Sequence, residues 1–234
     1  LKCSNCNHFI SNQKLVNLDK HYEQDYSKLN YLNFDNLKKN FKKIINFPIK
    51  KSDNKNRILR IKNFYNSLEF KKNKKVELLD VGSGLGVFPF EVKKIGWKCY
   101  SNEPGIEASL FIKKNLNIKT YNCKFEEILT NKKFDIITFN KVLEHVKDPE
   151  KFILTAMENL RKNGYIYLEV PDGVSAFKSK EGKNREEFFL DHLHVFSAKS
   201  LYNLIIKCGL KVISIKSIKE KSGKLTIFAF VKKW

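Results

Sequence analysis

The segment 75–91, KVELLDVGSGLGVFPFE, runs from apolar and β-branched residues into three alternating glycines, Gly82, Gly84 and Gly86. The apolar run predicts a buried strand, and the apolar pattern after the glycines predicts a helix. Because glycine has no Cβ, its backbone can approach a ligand more closely than that of any other residue. Ligands of open α/β sheets bind beside the carboxyl ends of the strands. The segment therefore predicts a ligand-binding turn between a strand and a helix.

Short β-type runs alternate with helical patterns after this turn, which predicts a parallel sheet covered by helices on both faces. The last two strands alternate in polarity around Ser222 and Gly223, which predicts an antiparallel hairpin. We therefore expect a Rossmann-like α/β fold with a seven-stranded, mostly parallel sheet. The predicted strands are 76–81, 98–103, 118–123, 134–140, 165–170, 211–220 and 224–233; the predicted helices are 87–96, 105–116, 149–164 and a last one that is capped by Ser197 and stopped at Gly209.

The residues before the sheet differ in pattern. Residues 1–30 are polar with little periodicity, whereas 34–47 and 56–68 place apolar residues three and four apart, which predicts two amphipathic helices. We therefore divide the chain into an N-terminal segment, a helical lid and an α/β domain. Their predicted bounds are 1–30, 31–72 and 73–234.

Two acidic residues frame the glycine turn. Asp80 lies two residues before Gly82, where it would repel the pyrophosphate of a dinucleotide and attract a cationic amino group. Glu103 ends the next predicted strand, and a carboxylate at that place can accept both hydroxyls of a ribose. The dinucleotide fingerprint also needs a third glycine where this chain has Val87. These residues favour S-adenosylmethionine (SAM) as the ligand over the cofactor of an NAD-dependent oxidoreductase.

Segment 76–170 resembles the class I SAM-dependent methyltransferases, with the later motif FDIITFNKVLEHVKDPEKFI at 134–153. The similarity continues through EVPDG at 169–173 and DHLHVFSAKSL at 191–201. In that family the fourth strand ends beside the methionine moiety and the third beside the adenine, and tyrosines near the amino terminus help to cover the cofactor. The resemblance implies SAM contacts at Asp80, Gly82, Ser83, Gly84, Gly86, Glu103, Pro104, Cys123, Lys124, Phe125, Asn140, Lys141, Val142, His145, Tyr22 and Tyr26.

The stretch FFLDHLHVFS at 188–197 resembles a segment of the deoxysugar C-methyltransferases. In those enzymes a histidine four residues before the phenylalanine is the suspected base, which implies His192 here, with His194 as the second candidate and Asp191 beside them. A histidine titrates near neutral pH and suits removal of a proton from a hydroxyl or an activated carbon. The resemblance implies a small polar acceptor, either a nucleotide-linked sugar or a surface-polysaccharide precursor.

The charge of the chain leaves another class of acceptor open. Lysine and arginine exceed aspartate and glutamate by 20, with 45 against 25. Such an excess is typical of proteins that bind nucleic acids, so an RNA methyltransferase is one alternative. However, the lysines are spread over the whole chain together with abundant asparagine and isoleucine, as an AT-rich genome would encode, and this favours a small-molecule partner. A non-catalytic module that binds SAM is the other alternative.

Cysteine usage and hydropathy address the compartment. Cys3, Cys6, Cys99, Cys123 and Cys208 show no disulfide spacing, which predicts a reducing, cytoplasmic environment. Cys3 and Cys6 resemble the second half of a four-cysteine zinc ribbon at the start of related methyltransferases; zinc would need an upstream cysteine pair, and two free thiols are the alternative. No window has the roughly 18 apolar residues of a transmembrane helix, and no signal-peptide pattern is present. The sequence carries no signature of an oligomeric state.

Overall fold

The computed structural model describes residues 1–11, 34–68, 75–188 and 192–234. The chain forms two compact units. Leu15–Thr130 make up the first, here called the glycine-loop unit, and Leu1–Lys14 together with Asn131–Trp234 make up the second, here called the histidine unit. Among the described residues, no helix is both long enough and apolar enough to cross a membrane.

Nine strands and seven α-helices lie within the described residues. The strands are β1 (Phe9–Ile10), β2 (Glu77–Val81), β3 (Lys98–Asn102), β4 (Lys119–Tyr121), β5 (Phe134–Asn140), β6 (Leu160–Pro171), β7 (His194–Val195), β8 (Leu210–Lys219) and β9 (Leu225–Lys233). The helices are α1 (Phe34–Ile45), α2 (Asp53–Asn66), α3 (Val87–Lys94), α4 (Ile106–Asn115), α5 (Pro149–Asn159), α6 (Gly173–Lys178) and α7 (Ala198–Lys207).

The main sheet has seven strands in the order β4-β3-β2-β5-β6-β9-β8. β2, β3 and β4 pair in parallel, as do β5 and β6, whereas β9 runs antiparallel to both β6 and β8. The predicted Rossmann-like sheet with an antiparallel C-terminal hairpin is therefore confirmed. β1 and β7 form a separate two-stranded sheet, in which Phe9 pairs with Val195.

The core of the glycine-loop unit explains the amphipathic pattern of α1. Its residues Leu37 and Phe41 are buried in one apolar cluster with Leu85, Phe111 and Ile112. Burial of a leucine or phenylalanine side chain stabilises a fold by about 1.5–3 kcal/mol. Helix α1 is therefore part of the core of this unit, and it packs beside the residues that carry the glycine turn.

The predicted helix 149–164 begins where expected but ends early. Asp148 caps its first turn through a hydrogen bond that its side chain accepts from a backbone N–H. α5 stops at Asn159, and Leu160 is already extended and paired with Phe134 of β5. Pairing with a neighbouring strand outweighs the helical propensity of the residues after Asn159, because propensity is the weaker of the two effects. As a result β6 is twelve residues long.

The turn predictions in the histidine unit are confirmed. The Ser197 side chain accepts a hydrogen bond from the Ser200 N–H, and the Ser200 side chain accepts one from the Ser197 N–H, which completes a capping box at the start of α7. Gly209 ends this helix with φ of 72°, and Gly223 turns the hairpin with φ of 93°. These turns place β8 at the edge of the sheet and β9 between β8 and β6.

Candidate active site

The glycine loop, residues 82–86, follows β2 directly. Its glycines have left-handed backbones, with φ of 67° at Gly82, 51° at Gly84 and 71° at Gly86. The N–H groups of Gly82 and Ser83 both donate to the carbonyl of Asn102 at the end of β3, at 2.9 and 3.1 Å. The neighbouring strand therefore fixes the start of the loop, and glycine is the residue that adopts this backbone without strain.

Gly84 and Gly86 have different surroundings. A Cβ on Gly86 would lie 2.7 Å from Ile112 Cγ1 and 2.8 Å from Leu116 Cδ1, so this glycine lets the loop pack closely against the α4 region. A Cβ on Gly84 would meet no described atom within 4 Å. Gly84 is therefore the position with room for a ligand, whereas Gly86 serves packing. The sequence pattern did not separate these two roles.

Glu103 follows β3 and connects the glycine loop to the next helix. Its Oε2 accepts the N–H of Gly84 at 2.7 Å, and its Oε1 accepts the N–H of Gly105 at 2.8 Å, just before α4. Desolvation by burial raises the pKa of Glu103 to about 7, although the two N–H donors act to lower it. Each carboxylate oxygen keeps a further lone pair that can accept another hydrogen bond.

These features fit the nucleoside part of SAM. The carboxylate of Glu103 is held by two backbone donors, and its remaining lone pairs suit the paired hydroxyls of a ribose. The space beside Gly84 leaves room for such a group. Asp80 is 2% exposed at the end of β2, and its carbonyl accepts the Ser83 hydroxyl at 3.0 Å. Burial and the negative charge of the nearby Asp80 carboxylate raise the pKa of the Cys99 thiol.

Two asparagines that the sequence analysis missed hold the strand ends around Glu103. Asn102 Nδ2 donates to the carbonyl of Cys123 at 2.9 Å. Asn122 Nδ2 donates to the carbonyls of both Glu103 and Pro104, each at 2.9 Å. In the sequence, the sign of this role is an asparagine at or directly after the carboxyl end of each of two neighbouring strands. The two asparagines position the backbone around the acid.

The residues after β4 begin with Cys123, which is half-buried; burial and the nearby Glu127 raise the pKa of its thiol. Lys124 precedes a 3₁₀ turn, Phe125–Glu127, and its carbonyl accepts the Glu127 N–H at 3.0 Å. Phe125 is 2% exposed and belongs to the core. The contact of these residues with adenine stays a prediction.

In the histidine unit, the backbone turns sharply after Asn140, the last residue of β5. Lys141 has φ of 62°, a left-handed conformation that is uncommon for a residue with a side chain. Its N–H donates to the carbonyl of Glu169 at 2.9 Å, and its Nζ donates to Thr226 Oγ1 at 2.6 Å. These contacts with β6 and β9 hold the strained residue. Val142 follows, and its carbonyl accepts the N–H of His145 at 3.0 Å.

Glu144 is 1% exposed, and its backbone carbonyl and its side-chain carboxylate have different surroundings. Its backbone carbonyl accepts the N–H groups of Leu193 at 2.8 Å and His194 at 3.1 Å, which fixes the segment that carries the candidate bases. Neither oxygen of its carboxylate has a hydrogen-bond partner among the described residues. Desolvation raises the pKa of Glu144 to about 7, against the lowering effect of Lys141 and His192. Sequence reasoning assigned no chemistry to this side chain.

Glu144, His145 and His192, here called the Glu144 cluster, each offer one donor atom, and these atoms lie within 4.8 Å of one another. No other group of three such side chains occurs in the described part of the chain. The rings of His145 and His192 meet edge to face, with centroids 4.8 Å apart. Such a cluster can hold a divalent cation or pass a proton. The positive charge of Lys141 lowers the pKa of Glu144 and would repel a cation bound at this cluster.

His192 has a defined neutral form. Its Nδ1 lies 2.9 Å from the carbonyl oxygen of Glu187. Because a carbonyl oxygen only accepts hydrogen bonds, we assign the proton of the neutral ring to Nδ1 and the lone pair to Nε2. A lone pair on Nε2 is what a general base requires.

The other predicted base, His194, has a structural environment. Its Nδ1 lies 3.2 Å from Nε2 of His8, and Nδ1 of His8 lies 3.2 Å from the hydroxyl of Ser200. Burial, followed by the charge of His194, lowers the pKa of His8 to about 4. His194 therefore links β7 to the N-terminal residues, and its role as a base stays a prediction.

Cys3 and Cys6 lie in the turn before β1, where Cys3 is exposed and Cys6 is half-buried. Hydrogen bonds from the backbone and side chain of Cys6 lower the pKa of Cys3. Zinc binding by this pair stays a prediction. The predicted site residues Tyr22, Tyr26 and Asp191 lie outside the described residues.

Comparison with known proteins gives the family. A family model described as a methyltransferase domain matches residues 53–215. The chain is similar to the ubiquinone biosynthesis O-methyltransferase of Pelagibacter ubique, with 31% identity over 120 residues that cover 46% of this chain and 47% of that protein. This chain thus spans about half the length of the curated relatives it matches.

Solved structures agree with the observed fold. One is the 1,6-didemethyltoxoflavin-N1-methyltransferase of Burkholderia thailandensis, with a TM-score of 0.62 at 12% identity over 99% of this chain and 96% of that chain. Another is a glycopeptide N-methyltransferase complexed with S-adenosyl-L-methionine, with a TM-score of 0.59 at 12% identity over 75% of this chain and 93% of that chain. At this level of identity the likeness shows the fold alone.

Proposed function

This chain belongs to the methyltransferase domain family, and on that premise we propose that it transfers a methyl group from SAM to a small polar acceptor. The observation that carries the proposal is the carboxylate of Glu103, which two backbone N–H groups hold beside the open position at Gly84. A carboxylate fixed in this way binds the hydroxyls of a ribose without first having to be ordered.

The residues of the chain have separate roles in this proposal. The glycine loop brings its backbone close to the cofactor, Glu103 binds the ribose, and Asp80 attracts the cationic amino group. SAM, when bound, supplies an electrophilic methyl group on its sulfonium. His192 removes the proton of the acceptor through Nε2, since Nδ1 carries the proton that bonds to Glu187. The protein thus positions both partners and moves one proton.

The acceptor that we propose is a nucleotide-linked sugar or a surface-polysaccharide precursor. The resemblance of segment 188–197 to deoxysugar methyltransferases supports a sugar. A second candidate is a phenolic hydroxyl, because the curated relatives of this chain are named as ubiquinone biosynthesis O-methyltransferases. Turnover of a panel of sugar nucleotides and phenols with labelled SAM separates the two.

Calorimetric titration of SAM and S-adenosylhomocysteine tests the cofactor assignment. Glu103→Gln keeps the size of the side chain but removes the charge and one of its acceptor oxygens. Hydrogen bonds to a charged group contribute about 1.5–3 kcal/mol each, so we expect the affinity for SAM to fall about 100-fold. Glu107→Gln, an exposed position on α4, is the matched control and should bind like the wild type. Absence of SAM binding by the wild type would refute the proposal.

Two further measurements address the other classes. An RNA methyltransferase would bind RNA tightly at low salt and lose that affinity at high salt, which filter binding at two ionic strengths detects. A non-catalytic module would bind SAM but show no turnover with any acceptor. We expect weak RNA binding and measurable turnover.

A further inference from the structure

Glu187 was not singled out by the sequence analysis. Its backbone is hydrogen-bonded to His192, and its side chain is hydrogen-bonded to the main sheet. Glu187 is 2% exposed. Its carbonyl oxygen lies 2.9 Å from Nδ1 of His192. Its carboxylate accepts the N–H of Leu225, the first residue of β9, at 2.8 Å. One residue therefore connects the candidate base with the sheet.

Arg185 completes this connection. Its Nε donates to Glu187 Oε2 at 2.9 Å and its Nη2 donates to Glu187 Oε1 at 3.0 Å, which is the two-pronged geometry of a strong arginine–carboxylate pair. The Nη2 atom also donates to the carbonyl of Gly223 in the hairpin turn at 3.2 Å. Burial alone would raise the pKa of Glu187, but Arg185 and the Leu225 N–H outweigh it and hold that pKa below its usual value.

The pair thus anchors a short 3₁₀ turn, Glu186–Phe188, at two points of the β8–β9 hairpin. The position of the Glu187 carbonyl depends on this turn. A neutral imidazole can carry its proton on either nitrogen, and the hydrogen bond made by one nitrogen decides the state of the other. Whatever moves the Glu187 carbonyl therefore changes which nitrogen of His192 has the lone pair.

We propose that the Arg185–Glu187 pair is a positioning device that fixes the tautomer and orientation of His192, so that Nε2 is the base. The inference rests on the proposed function, because it names the residues that prepare His192 for the acceptor. Arg185 and Glu187 act through His192 and take no part in the chemical step. Without the pair, the neutral His192 ring can carry its proton on Nε2. A protonated Nε2 has no lone pair and cannot take the proton of the methyl acceptor.

The tautomer of His192 can be measured without cofactor or acceptor. Nitrogen-15 NMR of histidine-labelled protein, at a pH where the ring is neutral, distinguishes a protonated Nδ1 from a protonated Nε2. His192→Gln identifies its signals. In the wild type we expect the proton on Nδ1. In Glu187→Gln and Arg185→Met we expect a shift toward protonated Nε2, and with the acceptor at hand a decrease in kcat of about tenfold or more with an unchanged KM for SAM.

Two variants make the result decisive. Arg185 also contacts an exposed acid, because its Nη1 donates to Glu181 Oε2 at 3.2 Å. Glu181→Gln removes the charge of this second partner and should leave the tautomer of His192 unchanged. Arg185→Lys keeps the charge but only one prong of the pair, and it should give an intermediate tautomer ratio. If circular dichroism shows that Arg185→Met is unfolded, Arg185→Lys takes its place in the comparison.

The outcomes separate this inference from the proposed function. A wild-type His192 protonated on Nε2, or a tautomer that Glu187→Gln and Arg185→Lys both leave unchanged, would overturn the positioning role even if SAM binds. Failure of the wild type to bind SAM would overturn the proposed function, and the NMR result would still decide whether the pair sets the tautomer.

Discussion

The carboxylates of Glu103 and Glu144 have the same raised pKa, about 7, in opposite surroundings. Glu103 accepts N–H groups from Gly84 and Gly105, whereas the Glu144 carboxylate has no hydrogen-bond partner among the described residues. The first acid is satisfied by the fold and needs little rearrangement to bind a ligand. The second has both oxygens without a hydrogen-bond partner in the part of the chain that the structure describes. Under the proposed function, the first carboxylate therefore suits a cofactor held in one position, whereas the second is open to a proton.

The largest effect should come from Gly86→Ala, which tests whether the loop is fixed by packing. The new Cβ would lie within 2.8 Å of two apolar side chains, and φ is 71°. Left-handed strain costs about 1–2 kcal/mol and overpacking another 1–3 kcal/mol. We expect the free energy of unfolding to fall by about 3 kcal/mol in urea titration.

Gly84→Ala is the control for that experiment. It carries the same left-handed strain, with φ of 51°, but its Cβ meets no described atom within 4 Å. We expect a loss of about 1 kcal/mol in stability, together with weaker SAM binding. Equal losses for the two alanine variants would contradict the distinction between a packing glycine and a ligand glycine.

The second prediction compares neutral amides at the two acids. In the folded protein, Glu144 has a pKa of about 7 against an ordinary value of 4.5, so the native state binds more protons than the unfolded state between these values. Stability should therefore fall as the pH rises from 4.5 to 7. Glu144→Gln removes the buried charge and should stabilise the protein by about 2 kcal/mol at pH 8, with little effect at pH 5.

Glu103→Gln should differ. Glu103 has the same raised pKa, so its charged form also lowers stability at pH 8. The amide nitrogen of glutamine, however, would face one of the two N–H groups that the carboxylate now accepts, which costs about 1–3 kcal/mol. Because these effects oppose each other at pH 8, we expect Glu103→Gln to be close to the wild type at pH 8 and less stable by about 1–3 kcal/mol at pH 5. Urea titrations of both variants at pH 5 and pH 8 give the comparison. A destabilised Glu144→Gln at pH 8 would mean that its carboxylate is satisfied after all.

The smallest effect concerns the left-handed backbone conformation, which occurs in both the glycine loop and the histidine unit. The loop uses glycine, but the histidine unit uses Lys141, with φ of 62°. Lys141→Gly relieves strain and loses the bond to Thr226, so we expect a stability within about 1 kcal/mol of the wild type. Lys141→Ala loses the same bond and keeps the strain. The glycine variant should therefore be the more stable of the two by about 1 kcal/mol, and the opposite order in thermal or urea unfolding would remove the case for strain at this residue.

The sequence predicted the sheet well because its strands are short apolar runs with glycine and asparagine turns between them. β5, for example, was predicted at 134–140, the bounds that the structure gives. The end of α5 was wrong because pairing between Leu160 and Phe134 is a tertiary contact, which local patterns do not contain.

Within the candidate site, the sequence singled out candidate residues but not their hydrogen-bond partners. It singled out Glu103 for a ligand but could not show that Gly84 and Gly105 donate to it. His192 was singled out by resemblance, while Arg185 and Glu187 were missed because their bonds reach residues of the β8–β9 hairpin, far along the chain. Long-range hydrogen bonds leave no periodic trace in a sequence.

The pairing of β1 with β7 has a consequence for biosynthesis. Phe9 and Ile10 meet Val195 and His194, so an early segment completes a unit whose other part is made much later. At a translation rate of roughly 5–20 residues per second, the ribosome needs about 10–40 s to reach the partner strand. The nascent β1 segment waits through that interval while the chain between the two strands can already collapse. Refolding from denaturant has no such delay, so the order of events on the ribosome and in the test tube should differ.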